Sequence, residues 1–179
     1  MSRPRILGGT AKGRELDTPR RGTRPSPSRL REALFDILAF ETGGPFLDLF
    51  SGSGAVGLEA ASRGWDATCV DLSREAAGVI RGNAARAGLR VEVVKADALR
   101  FAREHPGAFD VVFAAPPYDL ALTPIFQAIV DAGTARPGGL YVFQHPSREP
   151  PGLDLQAGLD APRTKRYGTN ALTLLRRAR

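Results

Sequence analysis

Three aspartates and a glycine-rich loop carry the first chemical signal. The segment DLFSGSGAVGLEA sets Gly52, Gly54 and Gly57 in a G-x-G-x-x-G spacing directly after an apolar run. That is the pattern of a turn whose backbone cradles a nucleotide-like ligand at a helix start. Nicotinamide, flavin and S-adenosylmethionine proteins share it, so the neighbouring side chains must discriminate. Asp48 stands four residues before Gly52. A carboxylate there repels a pyrophosphate, which wants bare N–H groups and a helix N-terminus, and suits the ammonium of a methionine-type ligand. Asp71, nineteen residues after Gly52, is spaced to accept ribose hydroxyls, and Asp97 closes the run VEVVKAD where it could take an adenine amine. Asp71 and Asp97 also read as caps of the helices that follow them. Together with Asp48 they outline one elongated, cationic adenosyl ligand, S-adenosyl-L-methionine rather than a nicotinamide.

A second signal is FAAPPYDL at residues 113–120. Pro116 and Pro117 fix φ and donate no hydrogen bonds, so the carbonyls of Ala115 and Pro116 point in set directions. Rigid acceptors of that kind can align the two N–H groups of an exocyclic amine, and Tyr118 offers a flat face on which a flipped base stacks. The chemistry is positioning and desolvation, without a nucleophile or metal. The same residues also suit a tight loop after a strand with a core tyrosine.

Elements must bring these groups together. Apolar runs at FLDLF (46–50), ATCVDL (67–72), VEVVKAD (91–97), FDVVFAA (109–115) and GLYVFQH (139–145) predict strands. Between them, 54–64, 73–87, 98–105 and 121–132 carry helical patterns. Strand–helix alternation implies an α/β fold with a mostly parallel sheet covered on both faces. Residues 163–179 break the alternation with a turn at Gly168–Asn170, which predicts a closing antiparallel hairpin. Upstream, RPRILGGTAKGREL predicts two short strands about a glycine-rich turn. Ser26 as N-cap and Pro27 as first helical residue predict a helix over 27–40. The expected division is a basic hairpin and linker, 1–26, and a Rossmann-like domain, 27–179.

Composition narrows the class. Of 179 residues, 42% are hydrophobic and 25% charged, which suits a folded, water-exposed domain. No apolar run approaches the ~20 residues of a membrane span, and no signal core opens the chain, so a cytoplasmic monomer without membrane contact is expected. Cys69 is the one cysteine, and His105 and His145 are the only histidines, with no metal-ligand spacing. Net charge is +6, split as +7 over residues 1–31, −7 over 32–162 and +6 over 163–179. Basic ends around an acidic centre suit a polyanion at the termini. Arg3, Arg5, Lys12, Arg14, Arg20 and Arg21 are therefore candidates for phosphate contact.

RILGGTAKGREL, RPSPSRLREALFDIL, FLDLFSGSGAVGLEAASRG and FAAPPYDL, in this order and spacing, closely resemble the RsmD-like family of 16S rRNA guanine-N2 methyltransferases. The resemblance runs over nearly the whole chain. It implies a Rossmann-like class I S-adenosylmethionine-dependent methyltransferase fold and transfer of a methyl group to N2 of a guanine in 16S rRNA, on an assembling small ribosomal subunit. It implies cofactor contacts from Asp48, from the loop Phe50, Ser51, Gly52, Ser53 and Gly54, from Asp71 with Leu72, and from Asp97 with Ala98. It also implies that Ala115, Pro116, Pro117 and Tyr118 form the catalytic segment and that Arg24, Arg29 and Arg31 sit near its mouth. The chain departs from the family at Ala115, where the pattern has Asp or Asn, and at Ser51, where Ala is usual. Two other functions stay open: methyl transfer to another nucleic-acid amine such as adenine N6, and a catalytically weak or silent assembly factor.

Overall fold

The computed structural model describes residues 3–21 and 25–179. Five strands run parallel: β1 (Pro45–Leu49), β2 (Asp66–Asp71), β3 (Glu92–Lys95), β4 (Phe109–Ala114) and β5 (Ala135–Pro146). A final hairpin, β6 (Arg163–Tyr167) and β7 (Asn170–Arg176), closes the sheet with β7 antiparallel to both β5 and β6. The order across the seven strands is β3-β2-β1-β4-β5-β7-β6. The chain therefore builds outward from β1 to β3, then crosses back to β4. That reversal opens a crevice between the carboxyl ends of β1 and β4, the place where open α/β sheets bind ligands.

Side-chain pattern explains the layers. α1 (Ser28–Leu38) turns Leu30, Leu34, Phe35 and Leu38 inward, where they join Phe46, Val56, Leu172 and Leu174. α2 (Ala55–Ser62) lies on the same face, and α3 (Arg74–Ala87) covers β2 and β3. α4 (Ala98–Glu104) and α5 (Leu122–Asp131) cover the other face through Phe101, Phe126 and Ile129. α3 ends as expected at Gly88, φ 66°, while at its start Ser73 rather than Asp71 is the cap, its Oγ accepting from Ala76 N at 3.2 Å. None of the helices among the described residues is long and apolar enough to cross a membrane.

Three expectations need correction. Ser26 does not cap α1, which starts at Ser28 with Pro27 in the cap position and no side-chain cap bond. The Ser26 hydroxyl instead donates to Gln144 Oε1 at 2.6 Å, a tertiary partner no local pattern reveals. β5 begins at Ala135, four residues before the expected start, because the ladder continues past an irregularity in which residues 136–139 stand opposite Asp110. The N-terminal segment is a hairpin-shaped turn with a single bridge, Arg5 to Glu15, instead of two strands. Its outer N–H groups bond elsewhere: Leu7 N and Gly8 N donate to Glu59 of α2 at 2.8 and 3.0 Å. Ile6, Ala11 and Leu16 bury against Ala55, Leu58 and Ala84, so the segment is welded to α2 and α3. Burying Ile6 and Leu16 contributes about 1.5–3 kcal/mol each.

Candidate active site

β1 ends in a loop whose backbone is bent as its glycines require. Gly52 and Gly54 have φ of 61° and 80°, and Phe50 at 59° is the non-glycine exception among the described residues. A left-handed non-glycine residue costs roughly 1–3 kcal/mol and persists only where its surroundings over-determine it. They do so here. Ser51 N donates to Val70 O at 3.0 Å, Gly52 N to Asp71 Oδ2 at 2.9 Å, and Gly54 N to Ser51 O at 2.9 Å. Gly57 brings α2 down onto the sheet: a Cβ there would stand 2.2 Å from Cys69 Sγ. Cys69 is thus the floor beneath α2, and burial pushes its thiol well above the ordinary range.

Asp48 lies under this loop, 2% exposed. Its Oδ2 accepts from Ser51 Oγ at 2.7 Å and Gly57 N at 2.9 Å, while Oδ1 takes no bond from the described residues. Burial raises its carboxyl to about 7; the two hydrogen bonds pull against this and nearby Asp71 adds to it. Near neutral pH it stands close to its midpoint, and a cation beside it favours the ionised form. Ser53 is buried in the same loop, and its hydroxyl is the buried side-chain polar atom left unpartnered among the described residues.

Two cavities share this loop. The larger, about 870 Å³, runs from Asp48, Ser51 and Ser53 to Ala115, Pro116, Pro117 and Tyr118. The smaller, about 260 Å³, is walled by Asp71, Leu72, Asp97 and Ala98. Phe50, Gly52, Pro117 and Leu120 line both, so the two form one trough along the ends of β1–β4. Asp71 braces as well as lines: Oδ1 accepts from Ser73 N at 2.9 Å, Oδ2 from Gly52 N. Asp97 occupies the N-cap position of α4 without a side-chain cap bond, so its exposed carboxylate is free to face the cavity. Leu72 is 67% exposed, an apolar surface that the described residues leave uncovered.

At the other end, Ala115 continues the sheet by a long bond from its N–H to Leu49 O at 3.5 Å. Ala115 and Pro117 are half-buried and Pro116 is buried. Tyr118 is 40% exposed and held at its tip: its hydroxyl donates to Asn170 Oδ1 at 2.7 Å and accepts from Gln144 Nε2 at 3.1 Å. Burial pushes its hydroxyl above the usual tyrosine range, opposed by the Gln144 bond. The alternative of a core tyrosine gives way to a tethered ring at a cavity wall. Ser26, Gln144 and Asn170 are the residues that sequence reasoning missed here. A glutamine closing the otherwise apolar run GLYVF was the available signal. Asp119, exposed, lines the same wall.

The basic candidates separate into three groups. Lys12, Arg14, Arg20, Arg21 and Arg29 are exposed and form no ion pair with the described residues. Arg21, with Pro19, lines the smaller cavity. Arg3 and Arg5 are exposed but paired with Asp17 at 3.3 Å and Glu15 at 2.5 Å. Arg31 is a correction. It is 1% exposed and donates to Arg5 O at 2.9 Å and Glu59 Oε1 at 3.2 Å. A guanidinium locked beneath the hairpin cannot meet an RNA phosphate; it ties α1, α2 and the hairpin together. Arg24 lies outside the described residues.

Residues 4–176 match the family described as Conserved hypothetical protein 95. The chain is 39% identical over 119 residues to Ribosomal RNA small subunit methyltransferase D of Escherichia coli K12, a match spanning 64% of this chain and 60% of that protein. It is 29% identical to Putative rRNA methyltransferase YlbH of Bacillus subtilis over 97% of this chain and 98% of that one. Among solved structures, the putative methyltransferase YhhF of Escherichia coli superposes with a TM-score of 0.81 at 31% identity, covering 99% of both chains.

Proposed function

Because the chain belongs to the Conserved hypothetical protein 95 family, the RsmD-like family, we propose that it transfers a methyl group from S-adenosyl-L-methionine to a guanine N2 of 16S rRNA in an assembling small subunit. The observation that carries this reading is the continuous trough, with Asp71 and Asp97 at one end and the APPY segment at the other. Relatives named as ribosomal RNA methyltransferases support the substrate class.

The residues present fit the cofactor. Asp48 Oδ1 offers an ionising carboxylate to its ammonium, and the unpartnered Ser53 hydroxyl gives a further polar contact in the loop. Asp71 would take the ribose hydroxyls on the lone pairs left by its two backbone bonds. Asp97, free of a capping role, would take the adenine amine, with Leu72 and Leu120 covering the ring. When bound, the cofactor supplies an electrophilic methyl group on a sulfonium. The chain's own work is alignment. Carbonyls of Ala115 and Pro116 accept the N2 protons, and Tyr118, fixed at its tip by Asn170 and Gln144, carries the base on its face. Methyl transfer would require N2 to lose one proton, and Asp119, the exposed carboxylate on that wall, would accept it.

A second reading rests on Ala115. The chain has no side-chain acceptor at that position, which fits a slow enzyme or a silent assembly factor. A lost charge-assisted hydrogen bond is worth about 1.5–3 kcal/mol, roughly 10- to 150-fold in rate. Single-turnover transfer to small subunits purified from cells lacking this gene, read as N2-methylguanosine by mass spectrometry, separates the readings. Transfer that rises or holds in Ala115→Asp and falls in Asp119→Asn supports the enzyme. Tight binding of cofactor and subunit with no transfer supports the silent factor, and N6-methyladenosine as product would move the assignment to another amine.

A further inference from the structure

The termini carry the positive charge of this chain, and the hairpin and linker account for only one end of it. Residues 163–179 hold six cationic side chains and no acid. Three of them, Arg163, Lys165 and Arg166, stand on β6, the outermost strand of the sheet. All three are exposed, and none forms an ion pair with the described residues. Arg163 and Lys165 pair across the ladder with Leu174 and Leu172, which face α1, whereas Arg166 pairs with Ala171 on the opposite face. The edge therefore offers cations to both sides of the sheet. Three acids lie nearby: Asp36 near Tyr167, Glu149 near His145, and the exposed Asp160, whose N–H donates to Arg176 O beyond the Arg163 end.

The strand leads straight to the site. β6 ends at Tyr167, the turn follows, and Thr169 and Asn170 line the larger cavity, with Asn170 accepting the Tyr118 hydroxyl bond. At ~3.3 Å per residue, the five residues reach roughly 17 Å from that mouth along the open edge. The N-terminal segment packs on α2 and α3 through Ile6, Ala11 and Leu16, and its exposed Arg21 lines the smaller cavity. Arg21 and the β6 turn thus stand at opposite ends of the trough.

We infer that β6 is a second RNA-docking surface: Arg163, Lys165 and Arg166 hold phosphates of the strand that leaves the target nucleotide, opposite those held by the N-terminal segment. This rests on the RNA reading proposed above. Edge strands also carry cations to block pairing with other chains, and that role needs only charge, with no relation to the cavity. Docking requires more, namely that the charges lie beside the mouth where the substrate must pass, and they do.

The test is the salt dependence of binding to a fluorescein-labelled RNA stem-loop with a single-stranded loop, measured by anisotropy on the full chain. The variant is R163Q/K165Q/R166Q, compared with R163K/K165R/R166K. Each phosphate contact on a single strand contributes about 0.7 to the slope of log affinity against log salt, so losing three should flatten it by about 2. The charge-keeping variant should hold the wild-type slope, and S-adenosylhomocysteine affinity by calorimetry should be the same in all three. An unchanged slope in the glutamine variant overturns the inference. So does self-association of that variant with an unchanged slope, which assigns the cations to edge protection. A wild-type chain that binds cofactor but no RNA overturns the RNA reading itself, and this inference with it.

Discussion

Replacing Asp48 by Asn should stabilise the free protein and weaken its grip on the cofactor, and both effects should depend on pH. The geometry makes the exchange nearly isosteric. Ser51 Oγ and Gly57 N both donate to Oδ2, so an asparagine oxygen in that place keeps both bonds. The amide nitrogen then replaces the unbonded Oδ1. What changes is the charge. Burial raises the folded-state carboxyl from its ordinary 3.8 to about 7. Between those values the native protein holds a proton that the unfolded chain has lost, so folding stability falls as pH rises from about 4 to 7. A rise of about 3 pH units at 1.36 kcal/mol each gives a burden of about 4 kcal/mol, fully present above pH 7 and absent below about pH 4. Asp48→Asn removes it. Urea unfolding of both proteins from pH 4.5 to 8 should give a stability difference that favours the variant and widens with pH. The wild-type carboxylate is restored to use only when a cation faces it. Calorimetry at pH 8 should accordingly find S-adenosylhomocysteine bound about 10- to 150-fold more weakly by the variant, the worth of a charge-assisted hydrogen bond. Wild-type affinity should climb as pH rises towards 7, and the variant's should climb less. A stability difference that stays constant over this pH range would refute the argument, because it would mean that Asp48 is ionised throughout and its burial costs nothing.

Three further outcomes follow from the same geometry. Tyr118→Phe keeps the ring but loses the bonds to Asn170 and Gln144, so single-turnover methyl transfer should fall about 10-fold, the worth of roughly one hydrogen bond. Tyr118→Ala, which removes the platform, should fall further, and full activity in it would take the base away from this loop. Arg31→Met should cost about 3–5 kcal/mol in denaturant melts by leaving Glu59 buried beside fewer cations, with no change in the salt slope of RNA binding. Asn83→Ala should free the hairpin: Asn83 bonds Asp17 N, Asp17 O and Ser53 O at 2.8, 3.0 and 3.1 Å, and a buried group left unpaired costs about 1–3 kcal/mol. Faster tryptic cleavage before residue 22 together with weaker cofactor binding is the expected readout.

Much of this protein is local and was therefore legible in the chain. The alternation of short apolar runs with amphipathic segments set the element order, because periods of 2 and 3.6 follow from backbone geometry alone. The glycine loop was readable because left-handed φ at Gly52 and Gly54 is a property of the residue, and the three aspartates because each closes a strand. The rest depended on partners far along the chain. Arg31 and Arg29 are near neighbours in sequence with the same charge, yet one is buried against Glu59 and the other faces solvent; only the placement of α1 over α2 decides between them. Ser26 looked like a cap until β5 brought Gln144 within 2.6 Å. Tyr118 gained its tether from Asn170, fifty-two residues away, and Asp97 stands at the N-cap of α4 without a side-chain bond to the following turn. Hydrogen-bond partners and the desolvation that raises Asp48 are sums over everything packed around a group, and no local pattern of residues encodes that sum.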